Sequence, residues 1–98
     1  MPTLQTANPP SMAIVYIPTQ LRTLTGGVEC VEVSGTSLRQ VIAELEAAYP
    51  GLGTRLCQNE ALSPALAVSI DGAFTNRGLL AKVGPDSEIH FLPAIGGG

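Results

Sequence analysis

The chain has 98 residues, of which 45% are hydrophobic and only 13% charged, a balance that fits one small folded domain and excludes a disordered chain. Five basic residues stand against eight acidic ones, giving a net charge of −3, and Arg22, Arg39, Arg55, Arg77 and Lys82 are scattered along the chain. Binding to DNA or RNA needs clustered positive charge to displace counterions, so nucleic acid is not an expected partner.

Residues 1–11 begin the polar, Pro-rich stretch MPTLQTANPPSM and read as a flexible N-terminal extension. The stretch lacks the basic and apolar regions of a secretory signal. No apolar run nears the ~18 residues of a membrane span. No membrane association is expected, and the expected location is cytoplasmic. The folded domain is expected over 12–93, with Met12 opening the first stretch of strand character.

AIVYI at 13–17 is apolar and β-branched and predicts a strand closed by Pro18. TQLRTLTGG then reads as a loop turning at Gly26 and Gly27, and VECVEV at 28–33 predicts a second, antiparallel strand. Its faces are mixed, with Glu29 and Val31 on one side and Val28, Cys30 and Glu32 on the other.

SGTSLRQVIAELEAAYPG carries the strongest local signal. Ser37 followed by Gln40 has the form of a capping box. Leu38, Val41, Ile42, Leu45 and Tyr49 then form one helical stripe, stopped by Pro50 and Gly51. A helix over about 37–49 is expected, with LGTRLC adding one more helical turn. ALAVSI at 65–70 predicts a third strand, Asp71 and Gly72 a turn, and 73–75 a short strand. Gly84, Pro85, Asp86 and Ser87 predict another turn before a last strand, EIHFL at 88–92.

In that strand Ile89 and Phe91 share the core face, while Glu88, His90 and Leu92 point outward, so His90 reads as a surface residue and not a general base. Cys30 and Cys57 lie far apart with no CxxC, and the chain has one histidine, so no metal site is expected. Both cysteines read as small apolar residues.

The order of elements predicts an α+β fold: a mixed sheet of about four or five strands with one main helix across one face. The right-handed crossover rule makes the first and last strands parallel neighbours at its centre. This places Pro93 at the sheet's edge and projects residues 94–98 into solvent. If Ala13, Val15 and Ile17 face the helix, then Ile14 and Tyr16 lie on the open face, where with Leu92 they would form a partner-binding patch.

The chain closes on Gly96, Gly97 and Gly98. Three glycines pack nothing and fray readily. Extended, the five residues after Pro93 reach roughly 17 Å beyond the fold, enough to enter a narrow channel in another protein. There the absence of Cβ atoms lets backbone approach backbone, and partner hydrogen bonds to the tail would offset its ordering entropy. No Ser/His/Asp set, paired carboxylates or phosphate loop suggests catalysis by the chain itself.

The element order, the DGA turn, GPDSEIHFLP and the terminal glycines resemble the MoaD/ThiS family of β-grasp (ubiquitin-like) sulfur carrier proteins. IPTQLRTLTGG at 17–27 with FLPAIGGG at the end is most similar to the CysO branch. The resemblance implies that Gly97 and Gly98 are the functional residues. The Gly98 carboxylate would be adenylated by an E1-like enzyme of MoeB/ThiF type using ATP and Mg, then converted to a thiocarboxylate. In the CysO branch the sulfur passes to an activated serine derivative on a cysteine synthase, and a metallopeptidase releases cysteine. The chain itself would hold no permanent cofactor. Gly96 stands where family tails often carry Ala or Ser before the final pair, which loosens the tail without touching its chemistry. With Gly96, Gly97 and Pro93 the tail would also be a partner-binding segment. The same activated terminus would serve a small subunit of molybdopterin synthase, a carrier for a thiolated tRNA base or thiazole, or a ubiquitin-like protein modifier. A β-grasp interaction domain with an inert tail is the remaining reading.

Overall fold

The computed structural model describes residues 12–93. Five strands form one mixed sheet: β1 (Met12–Tyr16), β2 (Cys30–Ser34), β5 (Leu66–Ile70), β6 (Ala73–Phe74) and β7 (Glu88–Pro93), ordered β2-β1-β7-β5-β6. β1 and β7 are parallel, as the crossover rule predicts, and every other pair in the sheet is antiparallel. The main helix, α1 (Leu38–Ala48), covers one face, and a five-residue helix, α2 (Leu52–Leu56), follows it.

The helix lies where its stripe requires. Leu38, Val41, Ile42 and Leu45 are buried, while Tyr49 is half-buried and closes the C-terminus. They meet Ala13, Val15, Val33, Val68, Ile89 and Phe91 from the sheet in one core. Removing each large side chain from water contributes ~1.5–3 kcal/mol. The capping box forms in a shifted version. Ser37 Oγ accepts from the Gln40 N–H at 3.3 Å, but the Gln40 side chain reaches back to the Thr36 N–H at 2.8 Å, one residue earlier than the simple motif.

Three features depart from the sequence expectation. Residues 19–25 form a 3₁₀ helix, not an open loop, bounded by Pro18 and by Gly26 in the left-handed region at φ 67°. A two-stranded ribbon, β3 (Cys57–Gln58) with β4 (Ala61–Leu62), turns through Asn59 and Glu60, both at positive φ. Pro93 does not sit at the sheet's edge: it ends the middle strand, opposite Leu66. The extension over 1–11 and the tail over 94–98 lie outside the described residues.

Candidate functional site

The site is built around the end of β7. At its beginning, Asp71 occupies the left-handed region at φ 53° in the two-residue turn between β5 and β6, with Gly72 at 86°. From there Oδ1 accepts the Glu88 N–H and Oδ2 the Ser87 hydroxyl, each at 2.9 Å. Ser87 Oγ in turn accepts the Gly84 N–H at 2.9 Å, tying down the turn. The Glu88 amide and the Ser87 hydroxyl hold the Asp71 carboxyl below its usual range, because both bonds favour the charged form. This clamp fixes where β7 starts and hence where Pro93 falls.

Strand alternation then sorts the side chains. Ile89 and Phe91 are buried, whereas Glu88 and Leu92 are exposed and His90 is half-buried on the open face. Parallel register sets Tyr16 opposite His90, and their rings stack with centroids 4.2 Å apart and planes 5° from parallel. On the other side of β7, Leu92 lies opposite Ala67 and His90 opposite Ser69, which pairs with Phe74 on β6. Phe74 is 69% exposed. Ala67, Phe74, Leu92 and Pro93 line an apolar hollow of about 580 Å³. A narrower groove of about 250 Å³ lies on the other flank of Leu92 and Pro93, bounded by Tyr16, Pro18, Gln20, Arg22 and His90.

Of the residues named from sequence, Tyr16, Leu92 and Pro93 meet at this end of the open face. Ile14 is on the same face but at the other end, between Glu32 on β2 and Glu88 on β7. Gly96, Gly97 and Gly98 lie outside the described residues. Sequence reading did not place His90, Ala67, Phe74 or Arg22 at the site. Alternation identified His90 as outward, but its pairing with Tyr16 depends on register between strands more than seventy positions apart.

Cys30 is exposed on the open face opposite Tyr16. Cys57 is half-buried, and burial pushes its thiol up, opposed by the Arg39 guanidinium. That shift disfavours the thiolate. Among the described residues no group of three His, Cys, Asp or Glu side chains could hold a metal ion, and no helix is long and apolar enough to cross a membrane. The arrangement is suited to docking: an apolar hollow and an aromatic stack converge on the strand end that leads into the glycines.

A model of the ThiS family matches residues 15–98, from within β1 to the last glycine. The sulfur carrier protein CysO of Mycobacterium tuberculosis is 35% identical over 91 residues, covering 86% of this chain and 96% of the relative. The crystal structure of M. tuberculosis CysO superposes with a TM-score of 0.78 at 32% identity, over 85% of this chain and 99% of that one. CysO in the crystal structure of the Amycolatopsis orientalis BexX/CysO complex gives 0.80 at 34%, over 88% and 99%. The likeness extends over the β-grasp sheet, its helix and the sequence of the tail, and the chain belongs to the ThiS family.

Proposed function

We propose that this protein is a sulfur carrier for cysteine biosynthesis, with the Gly98 carboxyl group as the carrying atom set. The observation that carries the reading is the family match through Gly98, together with relatives of near-equal length that are themselves sulfur carriers. The middle strand supplies the geometry, because β7 ends at Pro93 and leaves five residues that reach roughly 17 Å when extended.

A carboxylate is a poor electrophile and needs activation. A Gly98 oxygen attacks the α-phosphorus of ATP on an E1-like enzyme of MoeB/ThiF type, and Mg-bound pyrophosphate leaves. A sulfide-level nucleophile then attacks the acyl carbon, AMP departs with the former carboxylate oxygen, and a thiocarboxylate remains. The protein is thus a co-substrate and not an enzyme. ATP and Mg belong to the activating enzyme, which fits a cytoplasmic setting. The thiocarboxylate sulfur displaces the leaving group of an activated serine derivative on a cysteine synthase. The Gly98 acyl group then moves from the cysteine sulfur to the cysteine amino nitrogen, freeing the thiol, and a metallopeptidase hydrolyses the new amide. Gly96 and Gly97 give the partner's channel a chain without Cβ atoms. Tyr16, Leu92 and Pro93, with Ile14 at the far end, form the surface that holds the partner. The BexX/CysO complex is a case in which a similar chain docks on another protein.

Intact mass after incubation with the activating enzyme, ATP and a sulfur donor tests the reading. An oxygen-to-sulfur exchange confined to the C-terminal peptide is the expected result. A lysine conjugate of higher mass would instead make the protein a modifier, and an unchanged mass would overturn both.

A further inference from the structure

Arg22 takes no part in the tail chemistry, yet it lines the groove beside Pro93. It is half-buried in the 3₁₀ helix, and its Nε–H donates to the Ile17 carbonyl at 3.0 Å. The helix that carries it is closed by Gly26 in the left-handed region and by the buried Thr25 hydroxyl, 2.9 Å from the Val28 carbonyl. Among the described residues one of the five guanidinium N–H donors is used, to orient the group, and four remain on the two terminal nitrogens. The other polar side chains of the groove belong to Tyr16, Thr19, Gln20 and His90, and among the described residues no carboxylate lines it. Its volume, about 250 Å³, falls below the ~300–1,000 Å³ of small-molecule sites and suits an inserted side chain better than a nucleotide.

We propose that this groove receives an Asp or Glu side chain of the enzyme that activates the tail, and that Arg22 is the residue that reads it. The inference rests on the sulfur-carrier reading and names one element of the partner's surface. Charge along the open face supports it. Glu32 and Glu88 flank Ile14 at one end, while Arg22 lies at the other, so the face has a polarity although the chain is net negative. A matching enzyme surface places cations over Ile14 and an acid over Arg22, and a partner turned end for end sets like charges against each other. The tail's own carboxylate is committed elsewhere on the sulfur-carrier reading, because activation needs it in the enzyme's active site. An ion pair at the groove instead fixes the root of the tail, where small angular errors grow along its length.

The test uses the full chain and its cognate adenylating enzyme. Affinity is measured by calorimetry at several salt concentrations for wild type, Arg22→Gln, Arg22→Lys and Phe74→Ser, with thermal melting of each variant as the folding control. We expect Arg22→Gln to weaken binding about tenfold or more and to flatten its salt dependence. Arg22→Lys should restore only part of the affinity, because an ammonium cannot hold both the Ile17 carbonyl and a bidentate carboxylate. Phe74→Ser reports on the apolar hollow independently. If Phe74→Ser weakens binding while both Arg22 variants stay within about twofold, the docking face stands and the Arg22 inference falls. If no variant changes affinity, or the wild type does not bind, the sheet-face reading fails and the inference with it. Self-association of the wild type, lost in Arg22→Gln with enzyme affinity unchanged, would assign the groove to a second copy and overturn the proposal.

Discussion

Tyr16 and His90 stack at 4.2 Å across the parallel β1–β7 pair, in the middle of the face that helix α1 leaves open. A stack of this kind contributes ~0.5–1.5 kcal/mol beyond the area it covers. It also flattens two polar-tipped rings into a platform between Ile14 at one end and Leu92 at the other. The relationship joins the first strand of the fold to the strand that ends at the tail.

Tyr16→Glu tests that platform. The side chain is half-buried on the open face, so the helix-side core of Val15, Leu45 and Ile89 remains intact. The new carboxylate removes the stack and places a charge where an apolar partner surface would sit. Loss of tenfold or more in affinity for the activating enzyme is expected, roughly 1.4 kcal/mol, with an unchanged far-ultraviolet spectrum. Binding equal to wild type would remove Tyr16 from the docking surface.

Asp71 sets a pH dependence of stability. Its folded-state pKa lies below the ordinary 3.8, through bonds from the Glu88 N–H and the Ser87 hydroxyl. The contribution is therefore complete above 3.8 and is lost as pH falls through the lower, folded value. Asp71→Asn keeps a residue type that tolerates the left-handed turn while removing the charge. The variant should be less stable than wild type at neutral pH, and the gap should close on acidification. Urea midpoints followed into the acid range check this, and a gap that stays constant with pH would count against the carboxylate.

Much of the framework could be read from local pattern. The stripe from Leu38 to Leu45 needs only the 3.6-residue period, and the alternation of Ile89 and Phe91 only the two-residue period. The β3–β4 ribbon escaped because its turn uses Asn59 and Glu60 at positive φ where sequence rules look for Asn-Gly or Asp-Gly. The 3₁₀ helix at 19–25 was hidden because a short run with poor hydrogen-bond geometry imposes little periodicity. The glycine tail announces itself by composition. The surface beside its root is legible only in part: alternation puts Tyr16 and Leu92 on the open face, whereas His90, Ala67, Phe74 and Arg22 join them only through strand register and a turn of helix packed against the strand end.

Gly53 is required by a close approach. Glu46 accepts the Gly51 N–H at 3.0 Å and the Gly53 N–H at 2.8 Å, fastening α1 to α2. A Cβ on Gly53 would lie 2.9 Å from the Glu46 Cβ and 3.0 Å from its Oε1. The first of these is close to the helix backbone and cannot swing away. Gly53→Ala should cost ~1–3 kcal/mol of stability, read as a lower denaturant midpoint with unchanged slope. A neutral or stabilising result would mean that α2 shifts freely.

Deleting Gly98 separates the carrier chemistry from the fold. The truncated chain still ends in a glycine carboxylate, so charge and composition at the terminus are nearly preserved. Its reactive atoms, however, fall about 3.5 Å short of where the full tail delivers them. Misplacement by even ~1 Å can cost a hundredfold in rate when two reactants must be held in line. Thiocarboxylate formation should therefore drop by at least ~100-fold, while the melting temperature and the affinity contributed by the sheet face change little. Adding alanine after Gly98 should be equally damaging in the opposite direction, because the carboxylate then overshoots. Full sulfur loading of either variant in a single-turnover mass assay would show that the terminus is not positioned by length, and the role assigned to Gly98 would have to be withdrawn.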